Sequence, residues 1–152
     1  MKQTSLAALT ALLVFLVFVG GAAAEDGGGV GLLPFQGTQA AQVRQRVQNR
    51  LHANDVDLIP LKEVSAVAKK TNGWAPRARK LGASLLVRAR IQKSGEKWIA
   101  DVEMRNADAQ RVKKFRTSST TSNKVANRIA SELVKSGLLP LVSDESAPQG
   151  AA

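Results

Sequence analysis

Between residues 85 and 117 apolar side chains recur on every second position, and a period of two admits only extended backbone with one buried face. Leu85, Val87, Ala89 and Ile91 alternate with Leu86, Arg88, Arg90 and Gln92. Ser94-Gly95 turns the chain, and Trp98, Ala100, Val102 and Met104 then alternate with Ile99, Asp101, Glu103 and Arg105. A second turn over Asn106–Gln110 leads into a third strand from Arg111 to Thr117. Three strands joined by such short turns form an antiparallel meander with one dry and one wet face. Arg88 and Arg90 are placed to pair with Asp101 and Glu103 across the wet face, each exposed pair contributing about 0.2–1 kcal/mol.

The remaining segments must cover the dry face, and their period is 3.6. Ala40, Val43, Val47 and Leu51 predict an amphipathic helix that Thr38 can cap, with Arg44, Arg46 and Arg50 snorkelling from its flanks. Leu61, Val64, Val67 and Ala68 predict a short helix ending before Gly73, and Pro76 suits the first turn of another. Val125, Ile129 and Leu133 space a last helix, capped by Ser122 or Asn123 and stopped at Gly137. Val30–Phe35 and Val56–Leu61 read as short strands, each with a late Pro. The expectation is an α+β domain with a mixed sheet of about five strands. Two short N-terminal strands in a βαβ arrangement join the three-strand meander, with helices mainly on one face.

The first residues read as an address. Lys2 precedes an apolar run from Leu6 to Val19, and Ala22-Ala23-Ala24 puts small residues, Ala22 and Ala24, at both specificity positions of a signal-peptidase site. The expected organisation is a cleaved signal peptide over 1–24, a flexible Gly-rich leader over 25–29, one domain over 30–142 and a disordered tail over 143–152. The compartment expected is the bacterial periplasm or the outer-membrane surface. There is no Cys, which excludes disulfides, thiolate metal sites, thiol catalysis and an acylated N-terminal Cys, so a lipoprotein is not expected. The net charge of +10 is concentrated in the domain: of the 22 Lys and Arg only Lys2 lies outside residues 30–140, whereas Glu25, Asp26, Asp144 and Glu145 all do. Such a field attracts acidic proteins, anionic headgroups and other polyanions.

The order strand, helix, strand, helix, three strands, helix carries two further landmarks, Leu32-Leu33-Pro34-Phe35 and Leu81-Gly82-Ala83-Ser84-Leu85-Leu86-Val87. Over residues 30–136 it resembles the amino-terminal domain of TolB and the related envelope domains of the curli secretion channel and of a flagellar outer-membrane assembly protein. The resemblance implies a periplasmic α/β domain that is not an enzyme, needs no cofactor and acts by docking another envelope protein. It carries over no binding residue.

The residues themselves agree on chemistry. His52 is the only His and has no fixed nucleophile or carboxylate pair, and with Asp55 and Asp57 it falls short of a zinc set. Asp101 and Glu103 lie among Arg88, Arg90 and Arg105, which hold both ionised and unfit for acid–base work. The hydroxyl run Ser118–Ser122 reads as a solvated loop. Gly27–Gly31 precede the first strand, where a phosphate loop would follow it. The surface signal is basic: Trp74 with Arg77, Arg79 and Lys80, and a strand bearing Arg111, Lys113, Lys114 and Arg116. These eight residues are the candidate contact surface for an envelope protein, or in the alternative for lipopolysaccharide, anionic lipid or nucleic acid. Nucleic acid is disfavoured by export and by the lack of an aromatic platform.

Overall fold

The computed structural model describes residues 28–142. Residues 1–24, read above as a signal peptide with Ala22 and Ala24 at its cleavage site, and the expected tail over 143–152 lie outside the described residues. The elements in chain order are β1 (Val30–Leu32), β2 (Gln36–Gly37), α1 (Ala40–Ala53), α2 (Leu61–Lys70), α3 (Trp74–Leu81), β3 (Leu85–Ser94), β4 (Lys97–Asn106), β5 (Arg111–Ser119) and α4 (Ser122–Lys135). The class is α+β with a mixed five-stranded sheet, as the periodicities indicate. The sheet runs β1-β3-β4-β5; β1 and β2 both pair with β3 in parallel, and β3-β4-β5 is the antiparallel meander.

The second short strand arises elsewhere than the sequence reading places it. Pro34 interrupts the first segment, which resumes as β2 beside Arg90 and Ile91. Val56–Leu61 makes only isolated bridges, Leu58 to Val30 and Val56 to Leu141. Its backbone is nevertheless paired: Asp57 accepts from Val30 N–H and donates to the Pro140 carbonyl, at 2.8 Å each. Gly37 permits the close approach of β2. It has φ 106°, and a Cβ there would run into the Ile91 carbonyl.

The inward side chains of β3 and β4, Val87, Ala89, Ile91, Trp98, Ala100, Val102 and Met104, pack under α1 and α4 in the main core. A fully buried Leu, Ile or Val is worth about 1.5–3 kcal/mol, so this layer carries the fold. The opposite face is not wholly wet. Leu86 points outward from β3 and is covered by α2 and α3, which contribute Val64, Ala78 and Leu81 to a second cluster with Leu33 and Ala83. The helix pair therefore roofs one end of the outer face and leaves the rest open.

Two cap assignments shift by one residue. Gln39, at φ 53°, and not Thr38 precedes α1, without a side-chain cap; at α4 it is Thr121 that accepts from Lys124 N–H, at 3.1 Å, because its φ/ψ are extended. Arg44 does not snorkel. It is 9% exposed, and its Nε and Nη2 donate to the Leu32 carbonyl at 2.9 and 2.5 Å while Nη1 donates to Ser65 Oγ at 2.9 Å. Burial lowers its pKa from the ordinary guanidinium value. It ties β1, α1 and α2 together with no carboxylate.

Candidate functional site: the open face of the sheet

The register of the meander sets Arg88 opposite Glu103, Arg90 opposite Asp101, Asp101 opposite Arg116 and Glu103 opposite Lys114. All lie on the face that α1 and α4 do not cover. At its centre Glu103 is 8% exposed and binds three guanidinium groups. Arg88 Nη2 meets Oε1 at 2.8 Å, and Arg105 Nη2 and Arg111 Nε meet Oε2 at 2.8 and 2.9 Å. Burial alone would raise the Glu103 carboxyl, but hydrogen bonds from Arg111, Arg105 and Arg88, with the Arg105 charge, outweigh it and bring the pKa down to about 2. At neutral pH this carboxylate is an anchor for cations and has no proton to give.

Trp74, the first residue of α3, lies against this cluster. The guanidinium carbons of Arg88 and Arg105 each sit 4.9 Å from its ring centroid, within cation–π range. Arg105 is also fixed by the turn, donating from Nη1 to the Ala109 carbonyl at 3.0 Å. The outcome is a platform of one indole and two held guanidinium planes, with Arg111 and Lys114 beside it on β5. The second carboxylate, Asp101, pairs with Arg116 at 2.6 Å and not with Arg90, and its hydrogen bond holds Arg116 above the ordinary guanidinium pKa.

The eight candidate residues therefore separate. Trp74, Arg111, Lys114 and Arg116 share the open face. Arg77 is spent on structure, donating to the Thr71 and Ala68 carbonyls at 2.7 and 3.1 Å and so satisfying the end of α2. Arg79 and Lys80 are exposed on α3, with Arg79 lining a recess against Ser84 and the Asn106–Asp108 turn. Lys113 belongs to the helix-side face, opposite Met104 and 5.6 Å from the Phe115 ring. Pairing of Arg88, Arg105 and Glu103 is visible in the strand alternation, whereas Trp74, fourteen residues before Arg88, meets the two arginines through a contact that no local signal reports. Among the described residues His52 is exposed, no group of three His, Cys, Asp or Glu could hold a metal, and no helix is long and apolar enough to cross a membrane.

No known protein family's sequence profile matches the chain, and no curated protein matches it either. Solved structures do. The LpoB C-terminal domain from Salmonella enterica aligns with TM-score 0.50 and 11% identity over 62% of this chain and 84% of that one. Lipoprotein GNA1162 from Neisseria meningitidis aligns with TM-score 0.52 and 10% identity over 70% and 94%. TolB from Acinetobacter baumannii aligns with TM-score 0.56 and 9% identity over 74% of this chain. The fold is TolB-like. The chain spans 28% of the length of that TolB, so the TolB-like fold is what the two share, in keeping with the resemblance carried by Leu32–Phe35 and Leu81–Val87.

Proposed function

We propose that this TolB-like domain is a non-enzymatic protein of the bacterial cell envelope that docks another envelope protein through the open face of its sheet. The secretory pattern of residues 1–24, with no Cys for acylation, makes it a soluble periplasmic or outer-membrane-associated module after cleavage. The observation that carries the reading is the Trp74–Arg88–Arg105 platform around Glu103. An indole with two immobilised guanidinium planes is the composition of an interface anchor, and its ordering cost is already met in the free protein. The carboxylates on this face are both engaged by arginines, which supports binding over acid–base catalysis. The contact surface comprises Trp74, Arg111, Lys114 and Arg116, extended by Arg79 and Lys80 on α3; Lys113 lies on the opposite, helix-side face, and Arg77 supports the surface from behind.

The cation surplus of this face also favours a second reading, adsorption to lipopolysaccharide or anionic lipid without a fixed protein partner. Site-specific photo-crosslinking in living cells separates the two. A crosslinker at Lys80 or Lys114 is expected to give one discrete protein adduct, and one at Gln45, exposed on α1, is expected to give none. Identical adduct patterns from all three positions, or adducts to lipid alone, would overturn the docking reading.

A further inference from the structure

The strand order ends at β5, whose outer edge has no strand beside it among the described residues. Nine residues, Arg111–Ser119, present this edge, and among the described residues one side chain, Arg128, reaches their backbone, donating from Nη1 to the Ser118 carbonyl. An open edge of this length is a template for another strand. Its charge is of one sign. No Asp or Glu occurs between Asp108 and Glu132, while Arg111, Lys113, Lys114, Arg116, Lys124 and Arg128 do. Lys114 and Arg116 flank the edge on the open face, Lys113 flanks it on the helix side, and Lys124 and Arg128 line a recess with Ser118 and Thr120 at its far end. Two copies pairing β5 to β5 would set like charges opposite one another, which is destabilising. The edge thus rejects its own copy and matches a strand of opposite charge.

We propose that an extended acidic segment of the partner protein adds to β5 as a further strand. This rests on the docking reading above and names the partner's chemistry. Main-chain hydrogen bonds along Arg111–Thr117 would supply affinity, and acidic side chains on alternate positions, all on one face of the added strand, would meet Lys114 and Arg116 on the open face.

The test uses the exported protein and a labelled nine-residue peptide of alternating Glu and Val, matched to the length of β5, followed by fluorescence anisotropy. Comparison probes are the same length with Lys for Glu, and two forms of the Glu peptide N-methylated on alternate residues in either register. The Glu peptide is expected to bind and the Lys peptide not to. One N-methylated register is expected to lose at least about tenfold, because several main-chain hydrogen bonds are removed, and the other to retain binding. Lys114→Gln, which removes the cation without setting a like charge opposite Glu103, is expected to weaken the Glu peptide, with the unfolding midpoint as the folding control. Equal binding of both N-methylated forms and the parent would reduce the effect to adsorption on charge and overturn strand addition. So would no binding, equal binding of the Lys peptide, or dimerisation of the protein through β5. If the peptides fail while Lys114 still crosslinks to one discrete protein, strand addition falls and the docking reading stands.

Discussion

Replacing Glu103 by Gln removes the one anion shared by three guanidinium groups while keeping the shape of the side chain. The carboxyl titrates at about 2 in the fold against 4.5 ordinarily, and at 1.36 kcal/mol per pKa unit the ionised form contributes at most about 3 kcal/mol. The Glu103 side chain is 10% exposed, but Arg88 and Arg111 are 46% and 52% exposed, and water on their outer sides screens the attraction. The expected loss at neutral pH is therefore about 2 kcal/mol, part of it repulsion among the three arginines left behind. Urea unfolding followed by tryptophan fluorescence measures it, with Trp74 reporting from within the cluster. The sign of the pH dependence is fixed. The depressed pKa means the stabilisation is complete above the unfolded value and is lost as pH falls towards about 2. The gap between wild type and Glu103→Gln should thus be widest near neutral pH and narrow steadily below about pH 4.5. A neutral-pH gap under about 0.5 kcal/mol, or one that does not shrink in acid, would refute the assignment of Glu103 as the anchor of the platform.

Arg44→Met keeps the aliphatic volume but leaves the Leu32 carbonyl without its guanidinium donors, and should destabilise the domain by about 2 kcal/mol in the same assay. Gly37→Ala forces a Cβ into the Ile91 carbonyl at a positive φ, so it should cost more than about 2 kcal/mol and weaken amide-exchange protection at the β2–β3 pairing first. Ala109→Gly relieves a left-handed residue, φ 66°, in the β4–β5 turn, and should raise stability by up to about 1 kcal/mol in thermal unfolding.

The meander was legible because its pattern is local. Each of Leu85–Ile91 and Trp98–Met104 states its own face, and ten consecutive residues on each strand then pair in register. The helices were legible for the same reason, from Val43–Val47–Leu51 and Val125–Ile129–Leu133. Val56–Leu61 misled because an apolar run with a Pro reads alike as a strand or as a packed connector. Here only Val56 and Leu58 form bridges, and Pro60 directly precedes α2. Arg44 misled because a guanidinium on a helix flank is ordinarily solvated; the neighbours that bury it come from β1 and α2. The site was half legible. Composition marked Trp74 and the β5 cations, but the platform depends on the docking of α3 over β3, a contact no sequence spacing encodes. Arg77 illustrates the converse, a cation in a basic cluster whose donors face inward to the end of α2.

The proposal that this face holds a specific envelope protein is tested most directly by co-sedimentation of residues 25–152 with isolated envelope membranes at about 0.05 M and about 0.5 M salt, with protein-free lipid vesicles as the reference. At the higher salt the Debye length is about 4 Å, so long-range attraction to polyanions is screened and a packed interface is not. The docking account predicts retention on native membranes at high salt and none on vesicles. Release at high salt with equal binding to vesicles would contradict it and leave a basic domain that adsorbs to anionic surfaces.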